Sequence, residues 1–175
     1  MQATFETQRA IRIQRFFQNL DQLSDRLGMS VPPIVDLEEL RSLPTGTLGR
    51  AWADSLDRHH LTPLTTGPRR KQLHDGVHVL TGYGVDLIGE AEVQAFLLGT
   101  KKQLTHLVLL IGLLSGIRQQ RRHGQLNLST HTIRSRLRQA YQRGQRSQFD
   151  VDTWQPERLW NCPLEQVQTM FDINS

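Results

Sequence analysis

An all-α fold in one domain spanning residues 1–175 is what this sequence predicts, on three observations. Apolar residues recur at helical spacing, no stretch alternates apolar and polar side chains over a strand's length, and Gly and Pro stand between the periodic segments. A chain of 175 residues fits one domain with a sizeable core, and a hydrophobic fraction of 37% is low but compatible with a globular protein.

A first helix is expected over about 4–28, where Ile11, Ile13, Phe16, Phe17, Leu20, Leu23 and Leu27 keep roughly helical intervals up to Gly28. Pro32 and Pro33 then make a rigid turn. "DLEELRSL" reads as a short helical stretch. In "PTGTLGRAWADSLDRHH", Thr45 or Thr47 is available to cap a helix running to about His60. After the loop "LTPLTTGP", Pro68 is well placed to begin a helix to about Leu80, and Gly82 and Gly84 break it. One long apolar helix is expected over about 87–122, bent near Gly99 or Gly112. "HGQLNLST" is a turn ending in a capping residue, and a basic helix covers about 130–146. "QPERLWNCPLEQVQTMF" closes the chain as two short helical pieces split at Pro163.

Several function classes drop out on composition. A single cysteine, Cys162, excludes an internal disulfide and a multi-cysteine zinc site, and it suits a reducing compartment. The longest apolar run, "HLVLLIGLLSGI" (106–117), is too short to span about 30 Å of hydrocarbon, so no transmembrane segment is expected. The N-terminus has arginines and few acids, like a mitochondrial presequence, but its periodicity runs on into a domain helix; no signal peptide is read there. A cytoplasmic protein is the expected placement.

The net charge of +4 is unevenly spread: residues 93–149 hold Lys101, Lys102 and eight arginines but no aspartate or glutamate. Such asymmetry suggests an anionic partner: a phosphorylated ligand, nucleic acid or a membrane surface. For an anionic membrane surface, the basic region 101–146 is the face that would hold the protein peripherally on its inner side. Apart from Phe96, the stacking aromatics in this stretch are Tyr141 and Phe149, both near its end, and no known nucleic-acid module is present; no nucleic-acid partner is expected.

The chemistry concentrates in "RRKQLHDGVHVLTGYGVDLIGE" (69–90). His74 and His78, four apart, share one helix face and can reach one metal ion. Asp75 can ligate or orient from the edge of that face. Glu90 lies on the next helix, where a sharp return through Gly82 and Gly84 can bring it back; Asp86 is a rival carboxylate for the same space. Nitrogen and oxygen ligands suit one divalent ion, zinc first, with Mn, Fe, Co or Mg open. Two hydrolase readings stand beside this one. "HDGVH" is one methylene from the zinc-peptidase HExxH, and a His-Asp phosphohydrolase would need His59 or His60 as an upstream ligand.

The pattern His74, Asp75, His78, then eleven residues, then Glu90 resembles the signature of the coenzyme Q biosynthesis protein four family. "LPTGTLGRAWADSLDRHHLTP" (43–63) is similar to that family's upstream segment. "HDGVHVLTGYGVDLIGEAEVQAF" is similar to its core, and "PERLWNCPLEQVQTMFDI" to its closing stretch. The resemblance implies an all-α protein whose metal, held by His74, Asp75, His78 and Glu90, sits beside an apolar channel for an isoprenoid chain. It also implies removal of the C1 carboxyl of a polyprenylated 4-hydroxybenzoate-type ring with a hydroxyl installed in its place, or else a lipid-binding scaffold for other quinone-biosynthesis enzymes. Leu73, Val77, Leu80, Phe96, Leu97, Leu107, Leu110, Leu113 and Leu114 are the expected lipid contacts. Arg69, Arg70 and Lys71 are the expected anion contacts, and a homodimer is left open.

Two departures from the family pattern bear on the substrate. The lead-in to His74 is short, and Gly76 stands where a bulky aromatic is expected. Together they predict a trimmed pocket, hence another head group such as that of plastoquinone, or binding without turnover.

Overall fold

The computed structural model describes residues 30–173; the helix expected over about 4–28 lies outside them. The described residues form α-helices with no strand, joined by two isolated bridges, Ser30 to Pro68 and Thr47 to Pro163.

Helix α1 (Leu37–Ser42) starts at Asp36, whose side chain accepts from the amides of Glu38 and Glu39. Helix α2 (Leu48–His59) is capped by Thr47, whose hydroxyl accepts from the Arg50 amide. Two further amides at its start, on Leu48 and Gly49, donate to the carbonyls of Cys162 and Trp160. The end of the chain therefore satisfies groups that every helix start leaves open, and residues 48 and 160 become neighbours.

The single helix expected from Pro68 to Leu80 is two: α3 (Arg69–Gln72) and α4 (His74–Thr81), parted at Leu73, whose ψ of −8° opens the turn. Gln72 pins that junction. Fully buried, its amide accepts from the Ile34 amide at 3.0 Å and donates to the Val31 carbonyl at 3.0 Å.

The long helix expected over 87–122 is likewise two, α5 (Leu87–Thr100) and α6 (Leu104–Arg122). Gly99 does not bend a helix but lets two cross. A Cβ there would stand 2.2 Å from the Tyr141 carbonyl oxygen, and one on Gly144 would stand 2.1 Å from that of Phe96. Helix α5 thus lies backbone-close against α7 (Thr130–Arg146), which Ser129 caps. Just past the crossing the chain leaves α5, and Lys101 reaches across to Asp150 and Asp152 at 3.3 and 2.9 Å. A short 3₁₀ turn (Pro156–Arg158) and α8 (Leu164–Met170) close the fold, on either side of Pro163 as expected.

The main core gathers Trp52, Trp154 and Trp160 with Leu40, Leu56, Leu73, Leu80, Phe96 and Phe149. A smaller cluster of Ile88, Ala91, Ile117 and Ile133 ties α5, α6 and α7 together. Part of the basic region is spent on this frame. Arg136 makes a two-pronged pair with the buried Glu92 at 2.7 and 2.6 Å, and Arg143 donates to the carbonyls of Thr81 and Ile173.

The apolar run at 106–117 does not pack into that core as a buried helix would. Leu104 is 73% exposed, Val108 59% and Ile111 58%, with Leu107, Leu109 and Leu114 exposed beside them. Among the described residues, no helix is long and apolar enough to cross a membrane.

Candidate metal centre

His74, His78 and Glu90 converge as their spacing allowed. His74 Nε2 lies 3.3 Å from His78 Nε2, and the Glu90 carboxylate stands 3.2 Å from each. Donor atoms about 2.0–2.1 Å from a tetrahedral ion stand about 3.3 Å apart. With Glu90 Oε1 as the third donor the sides are 3.3, 3.2 and 3.5 Å, close to that separation, so the residues present fit a small divalent ion. His78 Nδ1 faces the Tyr83 carbonyl at 3.2 Å. Donating its proton there leaves the Nε2 lone pair aimed at the triangle, as bound imidazoles require.

The electrostatics agree with a site for positive charge. Burial opposes ionisation of Glu90, yet hydrogen bonds from both histidines hold its carboxyl down at about 2. Burial likewise opposes a charged His78, but Glu90 and the Tyr83 carbonyl raise it above 6.5.

Local sequence explains why Glu90 arrives. Gly82 ends α4 in the left-handed conformation (φ 74°). The chain then doubles back so tightly that a Cβ on Gly89 would fall 1.8 Å from the Gly84 carbonyl oxygen. Only glycine fits at 89, and Glu90 follows it directly. Asp86, the rival carboxylate, is occupied: as the cap of α5 it accepts from the Gly89 amide at 2.7 Å. Glu90 in the first turn of α5 also sits where the helix field favours a carboxylate.

Asp75 does not join the three donor atoms that meet within 4.8 Å. Half-buried, it is pushed up by desolvation, and the histidine charges and the backbone at Leu64 only partly offset this. It borders the site electrostatically rather than completing the triangle. The exposed His59 and His60 lie on α2 and just past its end. Glu90 stands 3.2 Å from both histidines, the position the family pattern implies for it.

His74 and Glu90 form part of the wall of a cavity of about 740 Å³. Of the expected lipid contacts, Val77, Leu97 and Leu113 line it, joined by Leu64, Leu109 and Val151. The others sit elsewhere: Leu73, Leu80 and Phe96 fill the closed core, Leu110 is wedged between the two clusters, and Leu107 and Leu114 face outward. Arg70 and Lys71 line the cavity, whereas Arg69 is drawn away to Glu157 and the Trp154 carbonyl. Sequence reasoning missed three polar wall residues, Gln94, Thr105 and His106. Gln94 stands four after Glu90 and so on its face of the helix, a signal that was available; His106 inside an apolar run gave none.

Gly76 has a different meaning from the trimmed pocket its sequence predicts. A Cβ there would meet the Trp52 ring at 2.1 Å. The space of the missing side chain is occupied by a core indole, on the side of α4 away from the cavity, so the pocket is not cut back at this residue.

Fold and site together define an all-α protein that gathers two histidines and a glutamate in the wall of an apolar pocket. The chain belongs to the coenzyme Q (ubiquinone) biosynthesis protein Coq4 family, whose model matches residues 21–175. It is 26% identical over 169 residues to the mitochondrial ubiquinone biosynthesis protein COQ4 homolog of Bos taurus, covering 86% of this chain and 59% of that one. To the Xenopus tropicalis homolog it is 34% identical over 85 residues, 41% of this chain and 29% of that protein. The match thus spans less than two thirds of the length of these relatives. A solved Nostoc punctiforme protein, provisionally assigned to ubiquinone biosynthesis, superposes with a TM-score of 0.67 at 20% identity. That superposition covers 83% of this chain and 71% of that one, and it establishes the shared fold.

Proposed function

We propose that the chain acts in ubiquinone or related prenylquinone biosynthesis, removing the C1 carboxyl of a polyprenylated 4-hydroxybenzoate-type ring. The observation that carries this reading is the cavity itself: an apolar chamber of about 740 Å³ with His74 and Glu90 in its wall suits an apolar tail joined to a polar ring. A divalent ion held by His74, His78 and Glu90, with Asp75 at its edge, supplies a Lewis acid toward the ring's carboxylate or phenolate. Val77, Leu97 and Leu113 exclude water from the tail, while Arg70 and Lys71 attract the carboxylate. The carboxyl leaves as carbon dioxide, and an oxygen-atom-donating oxidant accepts the electron pair left at C1 as the hydroxyl takes its place.

The test combines elemental analysis, mass spectrometry of co-purifying lipids, and incubation with a prenylated 4-hydroxybenzoate under an oxidant. Loss of one carboxyl with gain of one hydroxyl is expected. A protein that extracts the lipid but never alters it is instead a carrier that presents prenyl lipids to other quinone-biosynthesis enzymes.

Metal uptake should depend on pH with a definite sign. His78 is raised above 6.5 and must lose its proton to bind, so zinc affinity should climb with pH and level off above that raised value. Calorimetry in two buffers of different ionisation enthalpy should show proton release that fades above the plateau. Stability of the metal-free protein should move the other way: the His78 contribution is full below 6.5 and disappears as pH rises through the raised value. The Glu90 contribution is full above 4.5 and disappears as pH falls toward about 2.

The exposed face of α6 fits an anionic lipid surface. Lys102 precedes it, beside a Lys101 already engaged by Asp150 and Asp152, and Arg118, Arg121 and Arg122 end it, with no acid between residues 93 and 149. Two copies pairing α6 antiparallel would press these cationic ends together, whereas anionic headgroups neutralise them at roughly 1 kcal/mol per residue. Leu109 is both exposed and part of the cavity wall, which joins the pocket to this face. The protein should sediment with phosphatidylserine-containing vesicles but much less with phosphatidylcholine alone, and the double change Val108→Asp, Ile111→Asp should abolish the binding. A concentration-dependent dimer that the same changes dissolve would assign the face to a second copy.

A further inference from the structure

The cavity wall carries a second polar cluster, built from residues of α3, α5 and α6. Arg70 Nη2 lies 2.8 Å from His106 Nε2, and His106 Nδ1 lies 2.8 Å from Gln94 Oε1. Arg70 Nη1 donates to Gln103 Oε1 at 2.5 Å. A guanidinium only donates, so His106 Nε2 must accept; the ring is then neutral, with its one proton on Nδ1 donated to Gln94.

We propose that Gln94 and His106 act as positioning residues that hold the Arg70 guanidinium in the cavity wall as an anion-binding station, separate from the His74–His78–Glu90 triangle. It would take the carboxylate or phosphate of an apolar-tailed ligand. The inference rests on the cavity being a lipid pocket, and it singles out Arg70 among the three cations of its segment.

The choice of anchors is the argument. On the two terminal nitrogens a carboxylate would hold Arg70 more firmly but would cancel its charge; a neutral imidazole and an amide fix its direction there without adding negative charge. The imidazole stays neutral because burial and the neighbouring guanidinium press its pKa down to about 4. Among the described residues Asp152 pairs with Arg70, at 3.5 Å from Nε, and it is shared with Lys101 at 2.9 Å, which leaves Arg70 only partly neutralised. His106 and Gln103 occupy one N–H on each terminal nitrogen, so each keeps a second to donate to an anion. His106 and Gln94 are both buried, which makes the support rigid.

Binding of dodecanol, dodecanoate and dodecyl phosphate to the full chain tests this. The wild type should prefer at least one of the two anions over dodecanol by about tenfold or more. Which anion wins tells carboxylate from phosphate. Arg70→Gln should erase the preference while leaving dodecanol affinity in place. His106→Leu should erase it too, whereas His106→Gln, which keeps one acceptor and one donor, should retain most of it. Preference that survives Arg70→Gln or His106→Leu overturns the proposal, as does equal loss in His106→Leu and His106→Gln. Dodecanol binding with no anionic preference overturns this inference alone; no binding of any of the three overturns the lipid-pocket reading along with it.

Discussion

Replacing His78 with alanine is expected to take metal content from about one ion per chain to near zero and to abolish product formation. His78 is the most enclosed corner of the triangle, 4% exposed, and its Nε2 stands 3.2–3.3 Å from both other donors. Without it one imidazole and one carboxylate remain, both partly open to solvent, and water competes for the ion. Second-sphere partners alone are worth 10–100-fold in affinity, so a directly bound imidazole should be worth more. The same change strips Glu90 of one of the two hydrogen bonds that hold it near 2, so its carboxyl should move back toward 4.5. Elemental analysis and turnover must fall together. Full turnover by a metal-free variant would remove the ion from the chemistry, and an unaltered metal content would remove His78 from the site.

What could be read in advance was local. Thr47 as a cap, the helix over 130–146 with its capped start, and the split at Pro163 all follow from side chains acting on their own backbone. The four-residue step from His74 to His78 is equally local. Glu90 needed more: spacing left Asp86 as a rival, and only the fit of Gly89 under the Gly84 carbonyl, with Asp86 engaged as a cap, separates them.

Long-range events were the ones periodicity could not reach. Nothing in "KKQ" (101–103) breaks a helix by itself; the chain turns there beside the Gly99–Gly144 crossing, with Lys101 drawn toward Asp150 and Asp152. Apolar composition could not say that α6 would leave Leu104, Val108 and Ile111 uncovered, because burial depends on whether a neighbour exists. His106 shows the same limit from the other side. An isolated histidine in an apolar run has no local signature, and its partners Gln94 and Arg70 are 12 and 36 residues away.

Gly76 gives the second large effect. Alanine there gains about 1 kcal/mol in helix propensity, so an open site would make Gly76→Ala stabilising. The opposite is expected, because its Cβ would lie 2.1–2.2 Å from two atoms of the Trp52 ring. That ring has little freedom: Trp52 is fully buried, stacked 6.0 Å from Trp154 and edge-on to Trp160 at 5.3 Å. Forcing a methyl into such packing costs typically about 1–3 kcal/mol. A net loss of up to about 2 kcal/mol in urea unfolding is therefore expected, and Gly76→Phe should fail to fold. Trp52→Leu separates strain from other causes. It is destabilising by itself, but combined with Gly76→Ala it should recover about 1–2 kcal/mol relative to the sum of the two single changes, since the methyl then fills part of the vacated space. Additivity would mean that Trp52 is not what excludes a side chain at 76. Because Gly76 lies between His74 and His78 on one turn, the strain should also reach the triangle: zinc affinity should drop in Gly76→Ala and return in the double variant, although neither residue contributes a donor atom.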